Sequence, residues 1–309
     1  MDLKQLTALV TIAETGSVTR AAELLHLVQP AVTRHIRALE RELGVVLFER
    51  SRHGMRLTPA GDLLLTRARR VLSELERARA ELRPDPGSLH GIVTVGLLES
   101  MTDLVAEPLV SQVATAHPGI GLRLTTGYSG HLQQWLDEGV LDLTLVYNLR
   151  SRPGLNVRPI AREPLWVVGP ASVELGVDAV DLSVVGGHPL ILPAGGHGLR
   201  ILIDQAASRA NVLLAVATET NSMRVQKQLV LAGHGWTVLP GIGVAEDVAA
   251  GRLWGAPLSD AYRDVVLAVP RDVRPRPAVE AVTGILAEQL HAAVESGRWP
   301  AATWLRNDD

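Results

Sequence analysis

The stretch from Ser17 to Glu40, SVTRAAELLHLVQPAVTRHIRALE, constrains the chain more than any other. Its pattern predicts two short helices with a tight corner between them. Ser17 or Thr19 can cap the first helix by accepting from backbone N–H groups that a first turn leaves free. Ala21, Ala22, Leu24 and Leu25 form its inward face, and Ala22 is small enough to let a second helix cross closely. His26, Leu27 and Val28 make the corner. Pro30 sits where the second helix begins, since its missing N–H costs nothing in a first turn. Val32, Ile36 and Leu39 then recur at helical spacing as one buried stripe. Opposite that stripe lie Gln29, Thr33, Arg34 and Arg37, side-chain types that bond base edges and phosphates. An ordinary helical hairpin with a solvated polar face would show the same spacing, so the residues that follow decide between the two.

Leu43, Leu47 and Phe48 are expected to continue the core. Arg50, Ser51, Arg52, His53, Gly54, Met55 and Arg56 then form a basic turn between short extended segments. Such a hairpin is a wing that lays arginines along a phosphate backbone. A helix for the groove plus a basic wing is a helix-turn-helix docking plan. In it Arg34, Arg37, Arg50, Arg52 and Arg56 anchor phosphates, while Gln29, Thr33 and Arg34 read bases.

The run TGSVTRAAELLHLVQPAVTRHIRALERELGVVLFER, followed by RLTPAG, resembles the DNA-binding domain of the LysR-type transcriptional regulators across residues 1–65. Pro30 belongs to that motif. One departure is chemical: Val28 stands where the family usually has a serine or threonine, and valine can neither cap the helix nor bond a phosphate. Thr33 replaces a common serine and keeps the hydroxyl.

Charge fits this division. Residues 1–83 carry 14 Lys plus Arg against 10 Asp plus Glu, and residues 84–309 carry 16 against 23. A basic head on an acidic body suits a chain whose head alone meets nucleic acid. There is no cysteine. Disulfides, thiolate metal sites and thiol redox sensing are therefore excluded, and with them the peroxide-sensing style of the resembled family. No run of apolar residues is long enough to span a membrane, and the N-terminus has no signal-peptide pattern, so a cytoplasmic location with no membrane partner is expected.

Residues 59–83 read as one long helix, with Thr58 as its cap. Leu65, Ala68, Leu72, Leu75, Arg79 and Leu82 alternate three and four apart, a heptad seam broken only at Arg79. A second copy of the helix is the natural cover. The resemblance agrees, because this is the family's linker helix, which pairs between protomers. A homodimer or homotetramer would present paired recognition helices to a roughly palindromic promoter site, with RNA polymerase as a candidate partner. Arg83-Pro84-Asp85-Pro86-Gly87-Ser88 stops the helix, and 84–88 makes a hinge.

From Leu89 onward strands and helices alternate. Strands are expected at 92–96, 122–125, 141–146, 165–168, 190–192, 214–219, 236–239 and 265–269. Helices are expected at 101–116, 131–138, 199–210, 223–232 and 277–296. This order means α/β with a largely parallel sheet. Two α/β units joined by crossing strands leave a cleft at the strand ends, where small ligands bind. HPGIGLRL, LDEGVLDLTLV and LVLAGHGWTVLPG resemble the same family's effector-binding domain, which is similar to periplasmic binding proteins. The expected architecture is thus an N-terminal winged helix-turn-helix (1–58), a linker helix (59–83), and a two-subdomain α/β effector-binding domain at 89–309. Its first subdomain would be 89–161 with 267–309, its second 162–266.

Ser100, followed by Met101, and Ser129 each open a helix after a strand, where a hydroxyl beside free N–H groups suits an anion. By resemblance both positions line the effector cleft. Thr220, Asn221 and Ser222 cap the helix near Met223, and Pro193 and His197 lie on a loop expected to face the cleft. His234 and Trp236 flank Gly235 close to a strand start. Each hydroxyl or amide could serve as a helix cap alone, but three caps converging on one cleft favour an anionic, carboxylate-type effector. Glu99 opposes this if it faces inward. No cofactor is implied. The chain lacks a GxSxG elbow, an HExxH zinc motif and a Walker loop; His131 with Asp142 could form an acid–base pair, but Asp142 reads as a cap or turn of its strand, and enzyme activity is not expected.

Overall fold

A capping box starts the first helix, α1 (Leu3–Thr15). The Asp2 carboxylate accepts from the Gln5 N–H at 2.9 Å, and the Gln5 side chain accepts from the Asp2 N–H at 2.8 Å. Helix α2 (Val18–Leu24) is capped by Ser17, whose hydroxyl accepts from the Arg20 N–H. The corner turns on His26, at φ 54°. Helix α3 (Gln29–Leu43) begins at Val28 with no side-chain cap. This computed structural model describes residues 1–51, 54–81, 89–173, 176, 178–271 and 276–305. The chain divides into two compact units, Met1–Gly91 with Asp137–Val140 and Ile92–Leu136 with Leu141–Asp309.

The first unit is built on one core: Leu6, Leu9 and Ile12 of α1, Ala21 and Ala22 of α2, Val32, Ile36 and Leu39 of α3, then Leu47, Phe48 and Ala68. Leu24 and Leu43, expected inside, are 66% and 40% exposed. Each sits a step round the helix from the stripe that meets the core. Strands β1 (Phe48–Ser51) and β2 (Gly54–Leu57) pair antiparallel, Phe48 opposite Leu57, so the wing is a true hairpin. Arg52 and His53 lie outside the described residues.

Helix α4 (Pro59–Glu81) is capped by Thr58, which accepts from the Gly61 N–H at 3.0 Å. Gly61 lies against the chain before the wing: a Cβ there would come within 2.1 Å of the Leu47 carbonyl oxygen. Part of the expected heptad seam is used inside this unit, since Leu65 is buried, Ala68 joins the core and Leu72 packs against it; Leu64, off the seam, packs there too. The large apolar residues left exposed on α4 are Leu63 (65%) and Val71 (48%). Leu82 and the expected hinge at 84–88 fall outside the described residues.

The second unit runs β3 (Gly91–Leu98), α5 (Thr102–Ala116), β4 (Ile120–Gly127), α6 (Ser129–Asp137), β5 (Leu143–Tyr147), β6 (Leu155–Pro170), β7 (Leu190–Leu192), α7 (Gly198–Ala210), β8 (Val216–Glu219), α8 (Met223–Leu231), β9 (Thr237–Pro240), α9 (Ala245–Ala249), β10 (Leu253–Pro270), α10 (Pro277–Glu295) and β11 (Thr303–Trp304). Its main sheet has the order β11-β6-β10-β5-β3-β4, with β9 also on β6. The sheet is mixed rather than largely parallel. β3 pairs β5 and β7 pairs β8 in parallel, but β10 runs antiparallel to both β5 and β6.

The long pair β6 and β10 are the crossing strands. One end of the ladder joins β5 and the other end joins β9. The tail, unplaced from sequence, adds β11 to the edge of β6 and buries Trp299. Among the described residues no helix is long and apolar enough to cross a membrane.

Candidate functional sites

In the first unit, Gln29, Pro30, Thr33, Arg34 and Arg37 line one shallow depression on α3, continued by Glu40, Arg41, Val45 and Val46. Gln29, Pro30, Arg34 and Arg37 are exposed and Thr33 is half-buried. They share a face because Val32, Ile36 and Leu39 turn the other side of α3 inward. Arg34 and Arg37 form no ion pair with the described residues. An exposed helix face bearing unneutralised guanidinium groups attracts a polyanion. Glu40, the acid in the depression, is used internally, accepting from the Leu47 N–H at 2.8 Å and so fixing the approach to the wing. Arg56 is exposed on β2. Arg50 lies on β1, its side chain outside the described atoms, and Arg52 is outside the described residues.

In the second unit a narrow, partly open cavity is lined by Ser100, Ser129, Pro193, His197 and Asn221 of the expected residues. Met101, His234 and Trp236 lie elsewhere. Met101 is fully buried in the fold, because the 3-10 turn at Glu99–Met101 points Ser100 outward and Met101 back. His234 is exposed beyond the end of α8, its N–H bonded to the Leu229 carbonyl. Trp236 stacks on His188 at 4.1 Å and meets Trp254 at 5.3 Å, so it packs the core. His131 and Asp142 have separate partners: buried Asp142 accepts from the Thr94 N–H and pairs with Arg276, whereas His131 is exposed and stacks on Trp135.

Residues the sequence did not single out complete the cavity. Arg263 of β10 stands opposite Glu163 of β6 in the ladder. Both are buried, at 3% and 0% exposure, and joined at 2.8 Å. The other Glu163 oxygen accepts from the Ile242 N–H at 2.9 Å. Arg263 also donates from Nη2 to the Ser100 hydroxyl at 2.8 Å and lies over the Tyr147 ring. Its Nη1 makes no hydrogen bond with the described residues. On the opposite face of the ladder the charges repeat, Arg162 holding Asp264 through two bonds of 2.7 and 2.9 Å.

His197 caps α7: its Nδ1 accepts from the Leu199 N–H at 3.2 Å. A neutral imidazole accepting at one nitrogen carries its proton on the other. Nε2 is therefore a donor, and it is buried without a partner. Burial first, then the His131 charge, push the His197 pKa below 6.5, which keeps the ring neutral. Tyr128 meets the same ring edge-on at 4.5 Å. Burial first, then the nearby Glu99 carboxylate, push the Tyr128 pKa up to about 12. Tyr147 is raised by burial, partly offset by Arg263. Ser129 is buried, its hydroxyl accepting from the Tyr147 N–H and the Gln133 amide.

Known proteins match both units of the chain. Residues 3–62 match the family described as bacterial regulatory helix-turn-helix protein, lysR family, and residues 86–291 match the LysR substrate binding domain. The chain is 31% identical over 303 residues to the transcriptional regulator BbuR of Bordetella bronchiseptica, covering 97% of this chain and 93% of that one. It is 28% identical to the nitrogen assimilation regulatory protein nac of Klebsiella aerogenes, covering 93% and 94%. Full-length OxyR from Pseudomonas aeruginosa has a similar structure, with TM-score 0.62 and 27% identity over 93% of this chain and 98% of that one. CbnR shares the fold, with TM-score 0.70 at 23% identity over 94% and 99%. With its helix-turn-helix head and its substrate-binding body both matched, the chain belongs to the LysR family of transcriptional regulators, DNA-binding proteins rather than enzymes.

Proposed function

We propose that this regulator binds a roughly palindromic promoter site as a homodimer or homotetramer, and that a small carboxylate metabolite in the cavity of the second unit sets its hold on DNA. Arg263 carries the ligand reading. A guanidinium that is almost wholly buried, lines the cavity and leaves Nη1 unbonded is a ready partner for a carboxylate. The partnerless His197 Nε2–H adds a second donor. Both groups line the cavity with Ser100, whose hydroxyl accepts from Arg263. A ligand seated there shifts the population of arrangements that β6 and β10 permit.

On the head, Gln29, Thr33 and Arg34 read bases, while Arg37, Arg50, Arg52 and Arg56 hold phosphates. The exposed Leu63 and Val71 on α4 supply the pairing surface for a second copy. Such a protein works in the cytoplasm. Two measurements test the proposal. A footprint at moderate salt upstream of the adjacent genes should show a protected, two-fold symmetric site. A thermal-shift series with carboxylate metabolites should raise the melting temperature of the full chain. Absence of any protected site would remove the DNA reading.

A further inference from the structure

Charge inside the cavity does not balance. Arg263 is matched by Glu163. Glu99 lines the same cavity beside Tyr128, whose pKa its charge helps to raise, and ion-pairs with no Lys, Arg or His among the described residues. His197, which meets the Tyr128 ring edge-on at 4.5 Å, has its pKa lowered by burial and offers no charge to offset it. A ligand that was only a carboxylate would add a second uncompensated anion to one narrow space. Like charges repel more strongly there than in bulk water, because the walls are less polarisable. A ligand that also carried an ammonium would satisfy Glu99 and remove that repulsion.

We infer that the effector is an amino acid or a similarly aminated acid, its carboxylate received by Arg263 and His197 and its ammonium by Glu99. This rests on the cavity being the effector site and adds the charges its ligand must carry. The Ser100 and Ser129 hydroxyls are already engaged as acceptors, and each keeps a proton to donate to the ligand carboxylate.

The test compares two matched series on the full chain by calorimetry and thermal shift: α-amino acids, and the 2-hydroxy acids with the same side chains. At least one amino acid should bind, with its hydroxy partner weaker by about tenfold or more. Glu99→Gln should erase that preference, whereas Glu99→Asp, which keeps the charge, should retain most of it. A hydroxy acid that binds as tightly as its amino partner would overturn the ammonium assignment and leave the carboxylate reading standing. Binding by neither series would remove both. A Glu99→Gln protein that kept the full preference would show that another group receives the amine, and the assignment to Glu99 would fall. The comparison between series needs no variant, so a substitution that fails to fold leaves it intact.

Discussion

Arg263 and Glu163 show how much can depend on one pair of side chains. Each is nearly removed from water, and each satisfies the other across the ladder. Replacing Arg263 by Met strands a buried carboxylate, and urea denaturation should show a loss of about 3–5 kcal/mol. Replacing both, Glu163→Met with Arg263→Leu, should recover much of it, although the Ile242 N–H then loses its acceptor. His197 predicts a pH dependence. Its folded pKa lies below the ordinary 6.5, so the unfolded chain binds the proton more readily. The stability it contributes is present above that value and lost as pH falls through 6.5 toward the folded value. Protonating Nδ1 also breaks the α7 cap. His197→Asn keeps a capping acceptor but cannot titrate, so its melting temperature should fall less than wild type between about pH 7 and 5. Neither site's role is fully legible in the sequence. His197 stands in a glycine-rich turn, which marks it out locally. Arg263 and Glu163 lie a hundred positions apart, and no local pattern says that they are neighbours.

At the level of helices and strands, local chemistry is a reliable guide where it is strong. The α3 stripe, the Thr58 and Ser17 caps and the wing follow from spacing and capping residues. Val28 is the exception built into the sequence: it heads α3 with no side-chain cap and 70% exposure. Val28→Ser should stabilise the protein by about 0.5–1 kcal/mol in chemical denaturation, by bonding a free N–H of the first turn. Gly61→Ala should do the opposite despite alanine's better helix propensity, because the added methyl would meet the Leu47 carbonyl at 2.1 Å. Arg34→Ala with Arg37→Ala should weaken DNA binding while leaving the melting temperature unchanged. In a salt titration the slope should fall by about one unit for each phosphate that is no longer neutralised. The strands are harder to read. Only 165–168 and 265–269 are legible within β6 and β10, which run 155–170 and 253–270. Charged residues at Arg162, Glu163, Arg263 and Asp264 interrupt the apolar pattern, and cross-strand ion pairs are what make those charges tolerable.

For the whole molecule, the assembly turns on which side of α4 is left over. Ala68 is buried and Leu64 and Leu72 pack on the head's own core, so a partner helix would find Leu63 and Val71 instead. Val71→Glu should shift light scattering toward monomer and lower DNA affinity, since half a palindrome then binds alone. An unchanged mass would refute pairing through this face. The amino acid sequence by itself determined what depends on neighbours a few residues apart: the head, its docking helix, the absence of thiol chemistry, and the alternation that makes the body α/β. Only the tertiary structure decided which hydroxyls meet, that Met101, His234 and Trp236 turn away from the cavity, and that a buried Arg263 and a lone Glu99 face its interior. Helical periodicity and capping act over three or four residues and leave their mark locally. A cavity is made by side chains whose only common property is position after folding, and burial, which sets their charge and their unmet hydrogen bonds, exists only in the folded chain.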